Sequence, residues 1–128
     1  MSGQAFPQPA AELRLELNRL EPRENAACRV WFVLNNRSTE ALDPVRLDLV
    51  IFGRDGVVAR RIAVDVGPLP SGRTQARIFD VSGLACEGIG QLLLNDLLAC
   101  GSTETSQRNA CMDRVSLASR VEAVPFEK

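Results

Sequence analysis

The chain has 128 residues, 45% of them hydrophobic, with 15 basic and 16 acidic side chains and a net charge of −1. That is enough chain for one domain with a real core, and it is too apolar for a disordered segment. Histidine and tyrosine are absent and Lys128 is the only lysine, which removes the commonest general base, the commonest metal ligand and ready Schiff-base chemistry.

The first ten residues, MSGQAFPQPA, are polar and proline-bearing. They lack the basic n-region and apolar h-region of an intact signal peptide. They are expected to form an extended tail, as at the start of a mature exported chain. From AELRLELNRLEP onward, Leu13, Leu15 and Leu17 alternate with Arg14, Glu16 and Asn18, the period of a half-buried strand. Residues 21–25 read as a turn. In ACRVWFVLNN, Cys28, Val30, Phe32 and Leu34 share one face, and Arg29, Trp31 and Val33 share the other. Valine and aromatic enrichment again favours a strand.

A polar loop over 35–43 leads to Pro44, which fits a strand entrance. VRLDLVIF alternates once more and ends at GRDG, where Asp55-Gly56 between two apolar runs signals a hairpin. VVARRIAVDV returns. GPLPSGR is a connection, and TQARIFDV is a further alternating strand. Five strand-like runs between Glu12 and Val81, with no competing helical repeat, predict an all-β immunoglobulin-like sandwich of about seven antiparallel strands over residues 11–123. Residues 124–128 are expected as a C-terminal tail, and a small antiparallel barrel is the alternative architecture. LLLNDLLA places Leu93, Leu94, Leu97 and Leu98 at helical spacing, so a short helical turn near Asn95-Asp96 competes with a strand there.

The order VWFVLNN, VRLDLVIF, RDG, VVARRIAV and LPSGRTQARIFDV resembles the FxLYD-type immunoglobulin-like domains of exported bacterial proteins. The likeness spans a little under half the chain and departs at VIFGRDG, where the family carries a tyrosine-aspartate pair. The whole chain is also similar to small bacterial proteins described only by a twin-arginine-type signal sequence. The resemblance implies a sandwich fold and export to the periplasm or beyond. It brings no catalytic residue.

The cysteines Cys28, Cys86, Cys100 and Cys111 lack the close pairing of a thioredoxin-like redox site or a zinc site. The GIG of GIGQLL has no third glycine and no strand-then-helix frame for a dinucleotide. Four cysteines in an exported domain imply two disulfides with three pairings. Cys28–Cys86 would tie the second strand to the leucine run, and Cys100–Cys111 would close a polar loop.

Asp48, Asp55, Asp65 and Asp80 are read as solvated charges rather than a catalytic pair, and without histidine a conventional triad is impossible. Trp31 is either a second layer of core, the favoured reading, or an anchor for a partner. The strand arginines Arg14, Arg29, Arg46, Arg60, Arg61 and Arg77 are expected on outward faces. The charge balance, with no basic cluster beyond the pair Arg60-Arg61, speaks against nucleic acid, and no apolar run is long enough to span a membrane.

The function that follows is a non-enzymatic periplasmic binding or scaffolding module. It carries no cofactor and no metal, and it recognises another protein through a surface including Trp31, Arg29, Arg60 and Arg61. A small-ligand-binding sandwich or a carboxylate-dependent enzyme is the alternative.

Overall fold

Two four-stranded sheets pack face to face around one apolar layer in the computed structural model, which describes residues 13–128. In chain order the strands are β1 (Leu13–Arg23), β2 (Ala27–Asn36), β3 (Val45–Phe52), β4 (Val58–Asp65), β5 (Thr74–Val81), β6 (Gln91–Cys100), β7 (Val115–Ser119) and β8 (Phe126–Glu127). One sheet has the order β5-β2-β1-β7, the other β4-β3-β6-β8. First, second and fifth strands thus lie in one sheet and third, fourth and sixth in the other, the division of an immunoglobulin-like sandwich.

The expected alternation sets the core. Leu13, Leu15 and Leu17 of β1, Val30, Phe32 and Leu34 of β2, and Leu47, Leu49 and Ile51 of β3 are all buried. Phe32 stands between two rings, with centroids 5.3 Å from Phe79 and 5.5 Å from Phe126. Burying a side chain of this size contributes about 1.5–3 kcal/mol.

The C-terminal half departs from the expectation of antiparallel strands followed by a tail. After β6 a helix, α1 (Thr105–Arg114), carries the chain across to the first sheet, so β7 runs parallel to β1. Residues 121–125 then return it to the second sheet, where β8 runs parallel to β6. Residues 124–128 are therefore part of the domain. Val124 and Phe126 are buried, and the Lys128 ammonium donates to the carbonyls of Met112 and Val115 at 2.7 and 2.9 Å. Phe126 stacks on Phe32 inside the core, which is why this stretch is not free. The expected tail at 1–10 lies outside the described residues.

The leucine run is a strand, not a helical turn. Register shifts fall where β6 passes Asn95 and Leu98 opposite β3. Each shift inserts an extra residue and turns the next core position, Leu97 or Cys100, back inward. The buried positions become Leu92, Leu94, Leu97 and Cys100, a spacing that imitates a helix. β1 likewise runs through the expected turn as far as Arg23, with a register shift between Leu17 and Arg19. Pro22 is tolerated there because β7 pairs only with residues 13–17, leaving the rest of β1 without a neighbour on that side.

The cysteines pair as Cys28–Cys86 and Cys100–Cys111. The first joins β2 to a 3-10 turn at Cys86–Gly88 that leads into β6. The second holds α1 against the end of β6, and Cys111 is the only buried residue of that helix. Arg108 supplements it with bonds to the carbonyls of Thr103 and Leu97 and to Asp96. Chain-entropy arguments assign about 4 kcal/mol to the longer loop, spanning a separation of 58, and about 3 kcal/mol to the shorter, spanning 11. Replacing Cys28 and Cys86 by alanine should lower the urea midpoint of the whole domain. The Cys100→Ala/Cys111→Ala pair should cost less and remove the helical signal of α1 while the sheet signal persists, as read by circular dichroism. Equal losses with global unfolding in both would contradict this division.

Candidate functional site

The outer face of the first sheet is where aromatic, aliphatic and charged groups meet. In the β1–β2 register, Trp31 lies opposite Arg19, and Arg29 lies opposite Glu21. In the β2–β5 register, Trp31 lies opposite Ile78, and Arg29 lies opposite Asp80. The register shift in β1 produces this arrangement by bringing Arg19 and Glu21 to the outer face, in phase with Trp31 and Arg29. Trp31 is half-buried and lies outside the sandwich core, contrary to the favoured reading of it as a second core layer. Cys28, Val30 and Phe32 occupy the inward positions, so the strand parity forces Trp31 outward.

The indole N–H of Trp31 donates to Glu21 at 2.9 Å. That bond holds the Glu21 carboxyl below its ordinary range, and Arg19, Arg23 and Arg29 act in the same direction. Arg29 grips Asp80 through two bonds, Nε to Oδ1 at 2.8 Å and Nη2 to Oδ2 at 3.1 Å, which lowers the Asp80 pKa. Ile78 is 47% exposed between these polar groups, a high value for so large an aliphatic side chain. Half-buried Val33 and exposed Ala76 extend the apolar strip.

Trp31 and Arg29 are thus brought together, while Arg60 and Arg61 lie on β4 in the other sheet. Arg61 faces outward and clasps Asp48 through Nε and Nη2 at 3.0 and 2.9 Å. Asn95 adds a third donor at 2.9 Å. Asp48, read from the sequence as a solvated charge, is only 4% exposed, because the Arg61 side chain and the bulged Asn95 close over it. These donors, Arg61 foremost, hold its pKa down.

Arg60 and Arg77 correct a second expectation, since neither stands on an outward face. Both take the inward parity, in phase with Ile62 and Phe79, on β4 and β5, which have no outer neighbour among the described residues. Arg60 bonds the carbonyls of Ala59 and Ser82. Arg77 bonds those of Ala76, Val66 and Pro68. They close the side of the sandwich between β4 and β5 by bonding carbonyls of these strands and of the segments that follow them, and a charged side chain there blunts an edge against another strand.

The remaining carboxylates are dispersed. Asp55 accepts the backbone N–H of Val57 in the hairpin, and Asp65 faces Arg46 at 3.7 Å. The glycines of GIGQLL serve packing. A Cβ on Gly90 would meet the carbonyl oxygen of Gly53 at 2.6 Å, so this position must be bare for β6 to pass under the β3–β4 turn. No group of three or more metal-ligating side chains is found among the described residues.

No family model, curated protein or solved structure matches the chain. The site is therefore read from its own geometry.

Sequence reasoning missed two further features. One is Asn36, buried at the end of β2. Its Nδ2 donates to the carbonyls of Glu40 and Leu69, and its Oδ1 accepts from Ser38. It ties the 37–42 loop to the connection before β5. The other is a cleft of about 480 Å³ between that loop and α1, lined by Arg37, Glu40, Gln107 and Arg114 among others, with the Cys100–Cys111 bridge in its wall. The asparagine ending VWFVLNN was visible, but its partners come from loops with no sequence periodicity.

The Asp48 cluster makes a pH prediction. Its folded pKa is lowered, so its contribution is complete above the ordinary aspartate value of about 4 and is lost as pH falls through the folded value. Urea midpoints should fall for the wild type below about pH 4, and the fall should be smaller in Asp48→Asn. At neutral pH, Asp48→Ala should cost about 1 kcal/mol by removing the carboxylate that Asn95 and Arg61 hold, since both donors are exposed and regain water. An Arg60→Ala/Arg77→Ala variant should stay folded and associate with rising concentration, read by light scattering. A variant that remains as dispersed as the wild type would deny these arginines their role as edge covers.

Proposed function

We propose that this chain is a non-enzymatic, exported binding module that docks another protein on the outer face of its first sheet, with Trp31 as the central anchor. The observation that carries this reading is the pairing of a half-buried Trp31 with a 47% exposed Ile78 among charged side chains, Arg19, Glu21, Arg29 and Asp80. Tryptophan and arginine are the residues that most often dominate binding energy at protein interfaces, and a polar rim around an apolar centre is their usual setting. The face rests on paired strands rather than mobile loops, so little ordering entropy opposes binding.

Export to the periplasm, or secretion, is part of the proposal. Two disulfides persist most readily in an oxidising compartment, and no helix among the described residues is long and apolar enough to cross a membrane. The resemblance to exported FxLYD-type domains agrees with this. Against an enzymatic reading, Glu21, Asp48 and Asp80 are all held below their ordinary range by donors, the reverse of what a carboxylic general acid requires.

One observation favours a second reading, a small polar ligand in the cleft beside Cys100–Cys111. Its volume of about 480 Å³ lies within the usual range for ligand sites. Its walls are largely polar, unlike those of most such sites.

Trp31→Ala should weaken recovery of the partner from a native envelope extract at least tenfold, equivalent to about 1.4 kcal/mol or more. The same substitution should cost the fold only about 1 kcal/mol. Binding that survives both Trp31→Ala and Ile78→Ser, but is lost when Gln107 and Ala110 are replaced by bulky residues, would transfer the function to the cleft.

A further inference from the structure

The Trp31 face carries more arginine than carboxylate. Its strand positions present Arg14, Arg19, Arg23 and Arg29 against Glu16, Glu21 and Asp80, and Arg120 follows directly on β7. The carboxylates are already engaged. Glu16, almost fully buried, is bracketed by Arg14 at 3.1 Å and by Arg120. Asp80 is held by Arg29 and Glu21 by the Trp31 indole. Arg19 and Arg23 remain. Both are exposed, and neither makes an ion pair among the described residues. They share the outward parity of β1 with Glu21 between them, and Arg19 stands opposite Trp31.

We infer that this face takes an acidic segment of a partner protein, with Asp or Glu side chains received by Arg19 and Arg23 and an apolar side chain seated on Trp31 and Ile78. The inference rests on the reading of this face as a protein-docking surface and names the chemistry of the partner. An unpaired guanidinium offers a planar fork that matches a carboxylate in two bonds, and two forks flanking an apolar centre set both spacing and orientation. The interleaved Glu16, Glu21 and Asp80 oppose a uniformly anionic sheet such as a bilayer surface. A patterned protein surface can place its acids on Arg19 and Arg23 and avoid those three.

The chain contains one tryptophan and no tyrosine, so its ultraviolet emission above that of phenylalanine reports Trp31 alone. The probes are a short synthetic peptide of alternating Glu and Leu, its Lys and Leu counterpart, and vesicles of phosphatidylglycerol. The expected result is a saturable change in Trp31 emission with the Glu-containing peptide, weakening as salt is added and absent with the Lys-containing peptide. Arg19→Ala/Arg23→Ala should weaken that binding about tenfold or more while leaving the urea midpoint near that of the wild type. Equal response to both peptides, unchanged affinity in the double variant, or no saturation up to about 1 mM would overturn the inference. Saturation by vesicles without peptide response would assign the face to a membrane and overturn it too. Peptide failure with a natural partner still lost in Trp31→Ala removes the acidic chemistry and leaves the docking surface. A partner retained in Trp31→Ala removes both.

Discussion

The two inner faces of the sandwich must stay apolar residue by residue, and the rest of the structure follows from how the chain keeps that phase. A strand has a side-chain period of two, so a slip of one residue would move a whole hydrophobic set into water. The chain corrects its phase with register shifts in β1, β4 and β6. These corrections place polar groups as well as apolar ones. The shift in β1 sets Arg19 and Glu21 opposite Trp31 and Arg29. The one beside Asn95 brings its amide onto Asp48, where it joins Arg61 in closing over a carboxylate on the outer face. The features that distinguish the two outer faces are consequences of keeping the inside dry.

A sandwich closed in this way still has sides, and the two sides are treated differently. On one, the last fourteen residues supply a short strand to each sheet, and Phe126 completes the aromatic layer around Phe32. On the other, no described strand pairs with the outer edge of β4 or β5. There Arg60 and Arg77 turn inward and use several donors each to occupy carbonyls along and between the edges. Arginine suits this task better than lysine. Its fixed fork reaches two or three acceptors at once, and its stem packs against the neighbouring apolar side chains. A chain with fourteen arginines and one lysine reflects use of the guanidinium as a structural group as much as a charge.

Much of the fold was legible because alternation is a local signal. β2, β3 and β5, the Asp55-Gly56 hairpin and the two cysteine pairings follow from residues close in sequence or from one assumption about which strands face each other. What escaped had non-local causes. The phase shifts in β6 look like a helix because a strand with two extra residues repeats its leucines at three. The C-terminal segment looks like a tail because Val124 and Phe126 are too few to show a period. Asp48 reads as solvated because its cover comes from Arg61 across the hairpin and from Asn95, 47 residues away. Of the candidate surface, Trp31 and Arg29 were legible as neighbours on one strand face. Ile78, Glu21 and Asp80 join them only through pairing registers that the sequence does not display.

The contrast between the two outer faces bears on the proposed docking surface. On the second sheet the central carboxylate is sealed by three donors, and Val50 beside it is 8% exposed, so that face has settled its charges internally. On the first sheet the guanidinium groups of Arg19 and Arg23 make no close ion pair among the described residues and stand near an exposed isoleucine and the single tryptophan. Leaving apolar and cationic groups in water together contributes little to stability, since neither burial nor a strong ion pair results. Nothing in the packing requires them: the inward positions of β1, β2 and β5 are filled whatever stands outside. A surface that the fold does not need in this form is the one on which an external partner would act.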